Sequence, residues 1–223
     1  MDKFVLFCGP TYAGKTTISD ALVAQAVPIT RISNDDLNDA LFTNVDLLER
    51  IAAQSNLQKR MQEVVITARY GGIRDLNVLF AAAIPDSLVR MDIKYQLLGT
   101  YVTELAFQAE QTPFVEGHHI NSIARSIAAD VYRNNFRRYG VDFDELKKQI
   151  IYVDLDVETA LHRFDHSDRP QILSRDNFEK AYTQWKQPPS VAEWSNTSVH
   201  IIDGAQPVQK SVDQVIVILN KNN

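Results

Sequence analysis

The chain has 223 residues, of which 45% are hydrophobic and 23% are charged, and its formal net charge is -5. This size fits one large domain or a domain with a lid, and the negative charge disfavours a broadly basic nucleic-acid surface. No apolar run reaches the length of about 18 residues that membrane insertion requires, and Cys8, the single cysteine, excludes a disulfide framework and a thiolate zinc cluster. The start, Met-Asp-Lys, lacks the features of a targeting segment, so we expect a cytoplasmic protein.

Apolar, β-branched runs alternate with segments of helical periodicity along the whole chain. Strands are predicted over residues 3–8, 28–33, 113–116, 150–155 and 199–202. Helices are predicted over residues 15–26, 91–105, 120–131 and 207–219. The alternation predicts an α/β fold, a single domain over residues 1–223 with a five-stranded, mainly parallel sheet and helices on both faces. Residues 44–111 are expected to form a helical insertion, with breaks near residues 71–72 and at Pro85.

The stretch "FVLFCGPTYAGKTT" contains the phosphate-loop pattern G-x-x-x-x-G-K-[ST], between a predicted strand and a predicted helix. Glycine permits the sharp backbone path, and successive N–H groups and the helix N-terminus attract phosphate oxygens. Lys15 is expected to reach the β- and γ-phosphates, and Thr16 is expected to ligate Mg²⁺. The predicted nucleotide site consists of Gly9, Pro10, Thr11, Tyr12, Ala13, Gly14, Lys15, Thr16 and Thr17.

The remaining motifs decide between the classes of phosphate-loop protein. A GTPase switch requires Asn-Lys-x-Asp and Asp-x-x-Gly, and neither suits this sequence, while motor ATPases are longer. The chain therefore has the features of a compact kinase, and the choice between ATP and GTP stays open because base contacts are expected from the backbone. A nucleotide-binding regulatory protein, acting through a partner, remains the alternative from another class.

After the second predicted strand comes "ITRISNDDLNDALF". Together with the phosphate loop it resembles the P-loop kinase group that includes the 5′-kinase domain of polynucleotide kinases and related small-molecule kinases. The resemblance implies a three-layer P-loop sandwich with a lid, ATP and Mg²⁺ as cofactors, and an aspartate that receives the proton of an acceptor hydroxyl. By position this aspartate is Asp35, with Asp36 as a near alternative. The other interpretation is that Ser33, Asn34 and Asp35 cap the following helix.

Two later segments extend the resemblance. "TPFVEGHH" resembles the strand that ends in an acid in these kinases, which implies that Glu116 holds Mg²⁺ through water. The two histidines that follow are interpreted as polar residues at a helix start. "HIIDGAQPVQKSVDQVI" resembles the last strand, loop and helix, which implies that Gly204, Ala205 and Gln206 line the adenine pocket.

Between these segments, "IIYVDLDVETALHRF" and "DHSDRPQILSRDNFEKAYTQW" resemble the lid of the same group, over about residues 163–176. The resemblance implies that Arg163 and Arg169 neutralise phosphate charge as the lid closes, and Arg175 could substitute for either. The alternative is surface charge on a loop.

The implied function is transfer of the γ-phosphoryl group to a hydroxyl of a nucleoside, nucleotide or nucleic acid, including a 5′-hydroxyl or a base hydroxymethyl group. A nucleoside or deoxynucleoside monophosphate kinase is the alternative. Asn38 stands where the polynucleotide enzymes carry a basic residue, which weakens the nucleic-acid acceptor. Arg133, Arg137 and Arg138, with Tyr132, Phe136 and Tyr139 between them, could bind a phosphate backbone and bases, or form a solvated helix face and core.

Overall fold

The structure is a computed structural model that describes residues 2–55, 57–71, 76–117, 119, 121–168, 173–190 and 193–221. The strands are β1 (Lys3–Cys8), β2 (Ile29–Ser33), β3 (Thr112–Gly117), β4 (Lys147–Asp154) and β5 (Thr197–Asp203). The helices are α1 (Lys15–Ala24), α2 (Asn34–Thr43), α3 (Val45–Gln54), α4 (Gln58–Tyr70), α5 (Leu76–Ala83), α6 (Ser87–Gln108), α7 (Ser122–Phe136), α8 (Val157–Asp165), α9 (Arg175–Trp185) and α10 (Val208–Asn220). A short 3-10 helix, Arg137–Tyr139, follows α7.

The five strands form one sheet in the order β2-β3-β1-β4-β5. Strand β1 pairs in parallel with β3 and β4, and β4 pairs in parallel with β5. The predicted α/β class is confirmed, with a five-stranded parallel sheet and helices on both sides. Phe7 lies beside Glu116 and Cys8 beside Tyr152, so the carboxyl ends of the central strands meet at one edge. That edge is where ligands bind in open parallel sheets.

Contacts divide the chain into two compact units. The P-loop unit comprises Met1–Arg31, Glu110–Ser126 and Asp144–Asn223, and the helical unit comprises Ile32–Ala109 and Ile127–Phe143. Each has its own apolar core. In the P-loop unit, residues such as Val5, Ile151 and Val153 pack against the helices, and in the helical unit Leu48, Phe80 and Leu97 belong to the core.

Local sequence explains where several helices begin. The side chains of Ser33, Asn44, Asp86, Asp156 and Ser174 each accept a hydrogen bond from a backbone N–H in the first turn of α2, α3, α6, α8 and α9. Such caps satisfy donors that the helix itself leaves unpaired. None of the helices in the described parts of the chain is long and apolar enough to cross a membrane.

Candidate active site

The phosphate loop connects β1 to α1 in the P-loop unit. Gly14 precedes α1 with φ of 88°, a left-handed conformation that glycine adopts without steric cost. Tyr12 also has a positive φ of 66°, which is uncommon for a residue with a Cβ atom. The Lys15 side chain is buried, and its Nζ donates to the Pro10 carbonyl at 2.8 Å. The lysine ammonium is therefore bound by the backbone of its own loop.

Glu116, at the end of β3, is the centre of a hydrogen-bond network beside the loop. Thr16 Oγ1 donates to Glu116 Oε1 at 2.7 Å, and Ser19 Oγ donates to Oε2 at 2.6 Å. The guanidinium of Arg31 also contacts Oε2, from Nε at 3.0 Å and from Nη2 at 2.9 Å, and it pairs with Asp20 at 2.6 Å. The carboxylate of Glu116 is thus satisfied at both oxygens while its residue is only 5% exposed.

These contacts decide the protonation of Glu116. Burial alone raises a carboxyl pKa, but the hydrogen bonds from Ser19 and Thr16 and the charge of Arg31 outweigh it. The pKa of Glu116 therefore lies below its ordinary value, and the group is an anion at neutral pH. Neither Ser19 nor Arg31 was among the predicted site residues. Ser19 follows Thr16 by one turn of α1, and Arg31 is a charged residue within the apolar strand β2, which is the signal that could have identified it.

Arg163, on α8, contacts the phosphate loop through the backbone. Its Nη1 donates to the Tyr12 carbonyl and its Nη2 to the Gly204 carbonyl, both at 2.8 Å. A Cβ atom on Gly204 would lie 2.8 Å from the carbonyl oxygens of Ala13 and Asp154, so only glycine fits there. The predicted adenine loop is therefore packed against the phosphate loop, and Arg163 bridges the two.

The ring of Tyr12 also attaches the phosphate loop to α8 and α9. It makes edge contacts with Phe164, at a centroid distance of 5.8 Å, and with Phe178, at 5.6 Å. Phe164 and Phe178 are themselves stacked at 4.7 Å. These contacts stabilise the uncommon backbone conformation at Tyr12, because moving the residue would break aromatic packing on two helices.

A second buried charge cluster lies in the P-loop unit, and no sequence motif predicted it. Arg125 is fully buried and binds both oxygens of Glu193, with Nη2 to Oε1 at 2.9 Å, and donates to the His119 carbonyl at 2.9 Å. Trp194 Nε1 donates to the Arg125 carbonyl at 3.1 Å.

The Cys8 thiol lies near this cluster, and burial raises its pKa to about 12. The positive charges of Arg125 and Lys15 lower this pKa, but burial has the larger effect. Cys8 therefore packs as a small apolar residue.

The predicted base, Asp35, belongs to the helical unit. It occupies the first turn of α2 and is exposed, and Ser33 supplies the cap by accepting a hydrogen bond from the Asp36 N–H at 3.2 Å. Because Ser33 performs the capping, the carboxylates of Asp35 and Asp36 are not required for it. Both carboxylates lie directly after the carboxyl end of β2.

The other predicted residues fall into three groups. Arg169 and His118 lie outside the described residues. Arg175 begins α9 and pairs with Asp165 at 3.2 Å. Of the basic and aromatic cluster after β3, Tyr132 and Phe136 are core residues in the helical unit and cannot stack on bases, while Arg133 pairs with Asp130.

Comparisons with known proteins bear on the fold. No protein-family model and no curated protein matches the chain. Among solved structures, TT1252 from Thermus thermophilus is similar over 100% of both chains, with 14% identity and a TM-score of 0.53. APE1195 is similar over 99% of this chain and 96% of its own, with 11% identity and a TM-score of 0.50. The similar structures also include kinases, such as a gluconokinase from Sinorhizobium meliloti 1021, at 13% identity, 99% and 95% coverage and a TM-score of 0.49. At these identities the likeness shows the fold alone.

Proposed function

We propose that the protein is an ATP- and Mg²⁺-dependent phosphotransferase that transfers the γ-phosphoryl group to a hydroxyl. The observation that carries this proposal is the 2.7 Å hydrogen bond between the loop hydroxyl of Thr16 and the carboxylate of Glu116. It joins the two side chains that P-loop enzymes use to hold the metal, next to a lysine on the same loop. A loop that had only a structural role would not require an ionised, buried carboxylate beside it.

The donor set suits Mg²⁺, which prefers hard oxygen ligands. Thr16 offers a hydroxyl and Glu116 an anionic carboxylate. Both carboxylate oxygens already accept hydrogen bonds and Arg31 contacts one of them, so Glu116 would hold the ion through water, and Thr16 would bind it directly. When bound, Mg²⁺ neutralises charge on the β- and γ-phosphates and orients them.

Lys15 and the loop backbone position the donor. The Lys15 ammonium leaves the Pro10 carbonyl and binds the β- and γ-phosphates, an exchange between two acceptors that keeps its charge satisfied. Arg163 and Arg169 are proposed to neutralise charge that develops during transfer. Arg163 also fixes the carbonyls of Tyr12 and Gly204, which keeps the loop at Gly204, Ala205 and Gln206 beside the phosphate loop as a backbone wall for the base.

Asp35 is proposed as the group that accepts the proton of the attacking hydroxyl. Its carboxylate is exposed on the first turn of α2, where the helix N-terminus favours the anion. A hydroxyl acceptor needs such a base or orienting group, whereas a phosphate acceptor is already an anion. The proposed acceptor is the hydroxyl of a nucleoside, a nucleotide or a nucleic acid.

The test measures label transfer from γ-labelled ATP with Mg²⁺ to nucleosides, nucleoside monophosphates, 5′-hydroxyl and base-modified DNA and RNA, and small alcohols. Wild type should label a hydroxyl, and Lys15→Ala should lower turnover by at least about 100-fold, as loss of one transition-state donor does. Lys180→Ala, on the exposed surface of α9, is the matched control and should keep full activity.

Asp35→Asn and Asp36→Asn form the second matched pair, since both residues lie in the first turn of α2. For a hydroxyl kinase, Asp35→Asn should lower kcat by several orders of magnitude and Asp36→Asn should have little effect. Labelled monophosphate with a small Asp35→Asn effect would indicate a monophosphate kinase instead. Tight ATP binding without transfer to any acceptor would indicate a regulatory protein.

A further inference from the structure

Helices α6 and α7 approach very closely in the helical unit. A Cβ atom on Gly99 of α6 would lie 2.3 Å from Val131 Cγ1 of α7, so the Val131 side chain packs directly against the Gly99 backbone. Beside this contact the helix faces are polar. Asp92, Gln96 and Thr100 follow one another at intervals of four on α6, which places them in a stripe on one face. Helices that pack together normally bury apolar stripes, so a polar stripe here requires an explanation.

The polar stripe lines a cavity of about 210 Å³. Ser55, Thr100 and Asn135, each 6% exposed, are its most buried polar residues. Asp130, Asn134 and Arg138 are exposed at its rim. The volume corresponds to about seven water molecules, and it is below the roughly 300 Å³ at which sites for drug-sized ligands begin. The cavity is therefore suited to a small molecule and not to a nucleotide.

The side-chain oxygen of Asn135 does not receive a full hydrogen bond. Its Nδ2 donates to the Val131 carbonyl at 2.9 Å, which fixes the orientation of the amide. Its Oδ1 has Thr100 Oγ1 at 3.3 Å, but that hydroxyl lies 2.7 Å from the Gln96 carbonyl. One hydroxyl proton cannot serve both acceptors fully, and the shorter contact takes it. A buried amide oxygen is left with acceptor capacity toward the cavity.

The next polar group on the stripe also has acceptor capacity. Gln96 Nε2 donates to Asp92 Oδ2 at 2.8 Å, which leaves Asp92 Oδ1 and Gln96 Oε1 able to accept from a ligand. The cavity is therefore suited to a ligand with several hydrogen-bond donors. Asp130 is already paired with Arg133. The positive charge of Arg138 offsets the negative charge of Asp92, so the lining gives a charged ligand no advantage over a neutral one. Neutral hydroxyl groups satisfy amide and carboxylate acceptors without bringing a charge into the cavity.

We propose that this cavity binds a small polyhydroxylated molecule of about monosaccharide size. Its hydroxyls donate to Asn135 Oδ1, Gln96 Oε1 and Asp92 Oδ1. They also donate to the lone pairs of Thr100 Oγ1, whose own proton goes to the Gln96 carbonyl. The site consists only of side chains in the helical unit, so the inference goes beyond the proposed phosphotransfer and does not depend on it.

The test measures binding of D-ribose, D-glucose and myo-inositol to the full chain by calorimetry and ligand-observed NMR, with putrescine as an amine. At least one polyol should bind with a Kd below about 10 mM. Asn135→Leu, which removes the acceptor at similar volume, should weaken binding by about tenfold, the equivalent of one good hydrogen bond.

Thr100→Val and Thr103→Val provide a matched pair. Both hydroxyls are buried on α6 and both donate to the carbonyl four residues earlier at 2.7 Å, but only Thr100 lines the cavity. Thr100→Val should weaken polyol binding by about tenfold and Thr103→Val should not change it, while their thermal midpoints should be alike. A variant that failed to fold would be recognised by its low thermal midpoint. The remaining two of Asn135→Leu, Thr100→Val and Thr103→Val would still test polyol binding.

Three results would overturn the proposal: no polyol binding, binding of putrescine in place of polyols, and polyol binding that Asn135→Leu and Thr100→Val both leave unchanged. Lys15→Ala separates the two proposals, because it should lose phosphoryl transfer and keep polyol binding. If wild type transfers phosphate but binds no polyol, only the cavity inference fails.

Discussion

Buried charge in the P-loop unit contrasts with surface charge in the helical unit. Glu116 and Arg125 are both buried, and each is held by several partners. In the helical unit, the guanidinium of Arg50 pairs with Glu104 at 2.7 Å while its side chain is 44% exposed. The most buried polar residues that line the polar cavity of the helical unit, Ser55, Thr100 and Asn135, are neutral.

This difference agrees with what each unit is proposed to bind. Stabilising phosphate charge requires ionised groups that are fixed before the substrate arrives, and fixing them in a dry site takes several hydrogen bonds each. Recognition of a neutral small molecule requires only oriented dipoles. We therefore expect that replacing a buried charge in the P-loop unit lowers the free energy of unfolding far more than replacing a surface charge in the helical unit.

The largest effect is expected from Arg125→Met. The substitution leaves the Glu193 carboxylate, whose side chain is 19% exposed, without its bidentate partner, and it removes the donor to the His119 carbonyl. Breaking a buried ion pair on one side costs about 3 kcal/mol or more of unfolding free energy. Chemical denaturation should detect this, and Arg125→Met combined with Glu193→Leu should recover part of the loss. If Arg125→Met were as stable as wild type, the contrast between buried and surface charges would be wrong.

Gly204→Ala should have the next largest effect. The added methyl group would meet the backbone oxygens of Ala13 and Asp154 at 2.8 Å, and backbone atoms cannot move aside as a flexible side chain can. Overpacking of this kind costs about 1–3 kcal/mol, and ATP binding should weaken as the adenine loop is displaced.

Gly140→Ala in the helical unit is the matched control for Gly204→Ala. Gly140 has a φ of 73°, but no atom lies within 4 Å of an added Cβ. Only the backbone cost of about 1 kcal/mol remains, so thermal unfolding should be less affected than in Gly204→Ala, and ATP affinity should stay unchanged. Equal losses in both variants would show that close packing at Gly204 is unimportant.

The sequence was informative where structure is local. The phosphate loop has a strict spacing, and the strand that starts at Lys3 has the same bounds in the prediction and in the structure, because one run of apolar residues specifies it. Contacts between segments that are distant in the chain could not be predicted from the sequence. Arg31 and Glu116 are 85 positions apart, and they meet only because β2 lies next to β3 in the sheet. The resemblance to P-loop kinases implied that Arg163 neutralises phosphate charge, but the direction of its guanidinium depends on carbonyls of two separate loops.

Glu116 is expected to make stability depend on pH, and this dependence is confined to the acid range. Its pKa is lower in the folded protein than the unfolded value of about 4.3. Its ionisation therefore contributes stability that is fully present above the unfolded pKa and is lost as the pH falls through the folded pKa. Unfolding free energies of wild type and Glu116→Gln should differ most near neutral pH and converge in acid. A constant difference would show that the carboxylate charge is irrelevant to the network.

The smallest effect is expected from Arg50→Met, the helical-unit counterpart of Arg125→Met. Arg50 contacts both oxygens of Glu104 from Nη1, and Arg125 binds both oxygens of Glu193 through Nε and Nη2, so each carboxylate is paired at both oxygens. The larger difference is exposure, because water can solvate the charges when the surface pair is broken. Exposed ion pairs contribute about 0–1 kcal/mol, and the loss should shrink further in high salt. If Arg50→Met cost as much as Arg125→Met under the same denaturation conditions, burial would not be what distinguishes the two units.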